Sequence, residues 1–294
     1  MFFRGPTSYP ASQMSASRNL RAARRDEREA HTFGALPARD RGVHTPSVVG
    51  PREPAGGVIL REVLIGALSV TVTVLALILL VGVGILPGPK DPGPLSAALS
   101  FLYSPLCLLA AAGLYARFGR LLDGDAGETP ALVPAAERPG LGKAAGVTLL
   151  HVALAILGSY LIGVVMALFG APVVEQDTIL EITRGGLGLR PELVLLAVSA
   201  LIAAPIAEEL LLRGVFFRRL WHRLGPEAAY LASAIAFAAI HGNPKGVLVY
   251  LWLGLIFARA YAKTGRIGCA IATHFGNNAI TLAILVLSGP EVAP

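Results

Sequence analysis

Charge is scarce in this chain. Asp, Glu, Lys and Arg make up 15% of its 294 residues, against roughly a quarter in ordinary soluble proteins. With a hydrophobic share of 54% and a mean hydropathy of +0.64, that shortage excludes a typical soluble enzyme. One domain of this size has no core large enough to bury so much apolar surface, so the chain needs lipid. The only two cysteines, Cys107 and Cys269, sit in apolar runs, which leaves neither a disulfide framework nor a Cys-rich zinc site. The chain also lacks H-E-x-x-H, and with it the usual zincin geometry. No repeat of the inverted-transporter kind is visible. The excess of 25 Lys and Arg over 19 Asp and Glu gives a net charge of +6. In a membrane protein that sign reflects cytoplasmic loops, and no nucleic-acid partner is expected.

What is present reads as an all-α, polytopic transmembrane bundle of about seven helices behind a disordered N-terminal tail. Residues 1–56 have no apolar periodicity and carry Arg18, Arg21, Arg24, Arg25, Arg28, Arg39, Arg41 and Arg52. No short apolar run follows the first basic residues, so a secretory signal is not expected, and Asp26, Glu27 and Glu29 argue against an organellar transit peptide. The tail is read as solvated and cytoplasmic. A bilayer core of roughly 30 Å needs about 20 helical residues. Val63–Leu86, Leu95–Ala116, Ala144–Phe169, Leu193–Phe217, Gly246–Ala262 and Gly268–Leu287 approach or exceed that length, whereas Ala228–His241 is short. The expected organisation is residues 57–190 as N-terminal membrane helices and 191–290 as a second, C-terminal helical region. For the short fifth span, a turn at 241–246 that dips into the membrane and lines a wet cavity is the preferred reading.

The basic residues give an independent orientation. With the N-terminus inside, the cytoplasmic side holds Arg117, Arg120, Arg138, Lys143, Arg218, Arg219, Arg223, Arg259, Lys263 and Arg266. The outside holds Lys90, Arg184, Arg190 and Lys245, ten against four. That bias predicts N-in, C-out. An Ala-, Gly-, Leu- and Arg-rich basic chain also suggests a bacterial cell membrane.

Polar residues inside spans mark function by default. The fourth span contains Glu208, Glu209 and Arg213. Glu209 and Arg213 are i and i+4 with the acid first, the favourable order for an ion pair. Adjacent helical residues point about 100° apart, so Glu208 faces elsewhere and has no partner in its own span. His241 ends the fifth span, and His274 and Asn278 share one face of the last. A carboxylate in a low-dielectric cavity is a usable base for water, and a neutral histidine can position that water. A second histidine and an amide can donate to the oxyanion formed when water adds to a peptide carbonyl. The same Glu208, His241 and His274 could instead hold a zinc ion, since His, His and Glu are standard catalytic ligands. Spacing leaves both open. His151, alone in the third span, reads as a packing residue.

Taken in order, Glu208-Glu209-x-x-x-Arg213, Phe237-x-x-x-His241 and His274-x-x-x-Asn278 resemble the three motifs of the CPBP family. That family takes in the type II CAAX prenyl endopeptidases and the bacterial Abi proteins of bacteriocin processing or immunity. The resemblance covers roughly residues 190–290. It implies an intramembrane endopeptidase in which Glu208, with His241, activates water, and His274 and Asn278 form the oxyanion site. It implies too that Glu209 and Arg213 hold their helix in place. Family members are often labelled metalloproteases, though likeness to the CAAX enzymes favours a glutamate mechanism without an obligatory metal. The implied partner is a membrane-associated protein or peptide; the alternative is a non-catalytic peptide-binding or immunity protein of the Abi type.

Overall fold

A computed structural model describes residues 54–86, 94–124, 129–173, 177–183 and 190–288. The tail expected over residues 1–56 lies outside them up to residue 53. Among the described residues there is no strand, and the chain is a bundle of long helices. In chain order these are α1 (Ala55–Gly82), α2 (Pro94–Leu122), α3 (Leu141–Leu168), the short α4 (Asp177–Thr183), α5 (Pro191–Leu224), α6 (Pro226–His241), α7 (Val247–Thr264) and α8 (Ile267–Ser288). Seven are long, matching the number expected. Six helical segments have the length and hydropathy of membrane spans, and the exception is α6, with 16 residues.

Most helices run past the apolar stretches that announced them. α1 begins at Ala55, not near Val63, and so takes Arg61 and Glu62 into its first turns. α5 continues through Arg218, Arg219 and Arg223 to Leu224. Placing these arginines at a cytoplasmic helix end did not foresee a buried role, yet Arg219 is buried and donates to both oxygens of fully buried Glu62, at 2.7 and 3.0 Å. Asp123 accepts from Arg219 and Arg223, and Tyr115 donates to Glu62 at 2.8 Å. This network fastens α1 and α2 to the end of α5.

The outer surface is apolar. Leu79 on α1, Leu168 on α3 and Leu231 on α6 are more than half exposed, as lipid-facing residues must be. Inside, Phe217 on α5 packs against Tyr230 and Tyr261. A second cluster joins Leu212, Phe237, Leu253 and Phe257 across α5, α6 and α7. Helices α6 and α7 approach closely at Gly254, where a Cβ would lie 2.8 Å from the Ala234 Cα. Small residues serve that purpose in membrane bundles, where lipid removes the usual hydrophobic drive between helices.

Regular α-helix fails on either side of the glutamate pair. Ser199–Ala203 and Leu210–Phe217 are π-helical, and the α-helical turn between them is Ala204–Glu209. Pro205 supplies no N–H to that turn. π-Segments are uncommon and concentrate at functional sites. Farther on, α6 stops because Gly242 takes left-handed φ of 60°. Asn243 then caps the turn Pro244–Gly246 by accepting from the N–H groups of Lys245 and Gly246.

Candidate active site

Helices α5, α6 and α8 bring the motif residues together. Arg213 is fully buried, and its Nη1 donates to Glu209 Oε1 at 2.9 Å. Its Nη2 donates to the Gly254 carbonyl at 2.7 Å, and the guanidinium lies 4.9 Å from the Phe237 ring centroid. The ion pair read from the i, i+4 spacing is therefore present. It is also more than a pair, because Glu209 Oε1 accepts from His274 Nδ1 at 3.0 Å.

That contact fixes His274. Its Nδ1 is committed to Glu209, and its ring stacks on Phe257 with centroids 4.5 Å apart. Only Nε2 remains for chemistry. With Nδ1–H donating to Glu209, Nε2 can donate as well only when the ring carries both protons. His241 is held differently. Its Nδ1 lies 2.8 Å from the Phe237 carbonyl, which can only accept, so Nδ1 carries the proton and Nε2 presents a lone pair. The ring stacks on Tyr250 at 4.1 Å.

Glu208 is buried, and its Oε2 has no hydrogen-bond partner among the described residues. It is near enough to His241 to couple to it electrostatically. The leftover acid of the sequence reading is thus leftover in the fold. Asn278 donates from Nδ2 to the Ala200 carbonyl at 2.9 Å, and its Oδ1 accepts from Asn277 at 3.1 Å. An amide nitrogen has two hydrogens, so one N–H of Asn278 is left over.

A cavity of about 320 Å³ adjoins these groups, lined by His241, His274, Asn277, Asn278, Asn243 and Tyr250 among others. Glu208 is not part of its wall. Asn243 and Gly246 are, so the 241–246 turn does line a cavity. Ser159 and Gly163 of α3 also contribute, and no sequence signal pointed to them. His151 is buried and tied to the Val147 carbonyl at 2.7 Å, outside the cavity wall.

The zinc alternative meets a geometric test here. Among the described residues, no three His, Cys, Asp or Glu side chains converge as a ligand set. Each histidine has its Nδ1 tied to a carboxylate or a carbonyl and its Nε2 left over, an arrangement metal ligands also use, so the test rests on the missing third ligand. Among the described residues the donor set of a metal centre is therefore incomplete.

Residues 190–280 match the family model described as "Type II CAAX prenyl endopeptidase Rce1-like". The CPBP resemblance holds over this region. A relative in Bacillus subtilis (strain 168), "Putative membrane peptidase YdiL", is 32% identical over 98 residues, which is 33% of this chain and 40% of that protein. The chain thus spans less than half the length of the curated relative it matches. No solved structure matches significantly. Six apolar helices of membrane-spanning length, together with a membrane-peptidase relative, make this an integral membrane protein.

Proposed function

We propose that the protein is an intramembrane endopeptidase that cleaves a peptide bond of a membrane-associated protein or peptide. The observation that carries this reading is the unpartnered carboxylate oxygen of Glu208, in electrostatic contact with His241, whose Nε2 is left free. A buried acceptor without a donor is costly, and a water molecule satisfies it. Glu208 accepts a proton from that water while His241 Nε2 accepts its second hydrogen bond and holds it in place. The oxygen adds to the peptide carbonyl. Negative charge then develops on the carbonyl oxygen, where the spare N–H of Asn278 and Nε2–H of His274 donate. When the intermediate collapses, the C–N bond breaks and the proton held by Glu208 passes to the amine nitrogen.

Glu209 does not take part in proton transfer in this scheme. It orients His274 through the Nδ1 hydrogen bond, as a carboxylate orients the histidine of a hydrolase triad. The charge bias of the loops supports N-in, C-out in a cytoplasmic membrane. The prenyl specificity in the matching family's name is not needed by any of these groups, so the substrate class proposed is a membrane-associated peptide segment, prenylated or not.

The test is cleavage of a peptide library by purified wild-type and Glu208→Gln protein in proteoliposomes. Cleavage by the wild type alone is the expected result; equal cleavage, or none by either while both bind peptide, would sink the enzyme reading in favour of a peptide binder.

A further inference from the structure

A second cavity lies between α2, α5 and α8, and it shares no residue with the one described above. Its volume is about 810 Å³, and three arginines line it: Arg138, Arg218 and Arg266. Among the described residues none of them has a carboxylate partner. Arg138 donates to the Val133 carbonyl and Arg266 to the Pro139 carbonyl. The Nε atoms of Arg218 and Arg266 are buried with no hydrogen-bond partner among the described residues. Three cations facing one cavity repel each other unless an anion sits among them. The contrast with the neighbouring arginines is direct, since Arg219 and Arg223 are neutralised by Glu62 and Asp123.

The rest of the cavity is apolar. Leu109 on α2, Leu210 and Val215 on α5 and Ile267 on α8 form its walls, and Leu109 is 43% exposed. Two glycines, Gly113 and Gly268, also line it, and a Cβ on either would meet nothing within 4 Å. The cavity is therefore an open slot with a cationic end and greasy sides. A soluble anion would use the arginines and leave the slot empty. A phospholipid with an anionic headgroup uses both, and basic recesses between membrane helices on the cytoplasmic side recognise such headgroups. Arg138, Arg218 and Arg266 all fall on the side that the charge bias assigns to the cytoplasm.

We infer that this slot is a binding site for an anionic phospholipid of the inner leaflet, its phosphate held by Arg138, Arg218 and Arg266 and an acyl chain laid along Leu109, Leu210 and Val215. Guanidinium groups suit a phosphate because their forked N–H groups meet its oxygens pairwise. On α5 the site runs from Leu210, next to Glu209, to Arg218, and it shares no residue with the peptide cavity.

Native mass spectrometry of the full chain, stripped of lipid and titrated with phosphatidylglycerol or phosphatidylcholine, tests the assignment. The wild type should retain one phosphatidylglycerol in preference to phosphatidylcholine. Arg218→Gln/Arg266→Gln should weaken that binding about tenfold or more, the effect of losing charge-assisted hydrogen bonds. Gly268→Leu should weaken it comparably by filling the slot with every arginine in place, and it decides the matter if the double variant does not fold. Equal phosphatidylglycerol retention by folded Gly268→Leu, no preference over phosphatidylcholine, or inorganic phosphate competing at equal concentration would each overturn the lipid site.

Discussion

His274 Nδ1 and Glu209 Oε1 stand 3.0 Å apart, so the second carboxylate of the pair, already bound to Arg213, is also the anchor of the last helix's histidine. Two adjacent glutamates therefore have separate work. Among the described residues, Glu209 is tied to a cation and a ring through Oε1, whereas Glu208 has neither, and each keeps an unpartnered Oε2.

Glu208→Gln is expected to lower the cleavage rate by about 10²–10⁴-fold, the usual contribution of a positioned base. Because the substitution removes a charge and no packing, thermal unfolding of the variant in detergent should match the wild type. A large loss of folded protein would instead mark Glu208 as structural.

Glu209→Ala should behave in the opposite way. It leaves the fully buried Arg213 without its carboxylate, a loss worth about 3–5 kcal/mol for a buried pair. A lower unfolding temperature and poor yield are expected, measured by intrinsic fluorescence on heating. Wild-type stability in this variant would contradict the buried ion pair.

Asn278→Ala removes a proposed oxyanion donor and should cut kcat by about 10²–10³-fold with KM little changed. A change confined to KM would place Asn278 in substrate binding. Treatment with a strong chelator should leave cleavage by the wild type intact, and its loss, restored by added zinc, would return the metal mechanism.

Gly119→Ala should destabilise the fold although it lies far from the motifs. An added Cβ would sit 2.5 Å from Arg219 Nη1, displacing the guanidinium that holds Glu62 and Asp123. Overpacking of this kind costs about 1–3 kcal/mol. An unchanged unfolding temperature would mean that the arginine has room to move.

Much of this arrangement could be read from one-dimensional pattern, and the reasons differ by residue. Long apolar runs announced the helices because a bilayer imposes their length. Glu209 with Arg213 was legible from i, i+4 spacing, a purely local relation. The His274–Glu209 contact was not, since it joins residues 65 apart and depends on how α8 packs on α5. Glu62 escaped notice because helix α1 starts before its apolar stretch does, and its partner Arg219 lies 157 residues away. The π-segments also left no periodic trace, because an extra residue is hidden in a run that is apolar apart from Arg213.

Gly158 and Gly276 carry a practical consequence. A Cβ on Gly158 would lie 2.1 Å from the Trp252 indole nitrogen, which donates to the Leu154 carbonyl, and a Cβ on Gly276 would lie 2.8 Å from a Val152 methyl. Helix α3, which precedes the stretch shared with the peptidase family, is therefore keyed into both α7 and α8. Excising the shared stretch for expression would unplug that key, so a minimal active fragment has to begin no later than the start of α3.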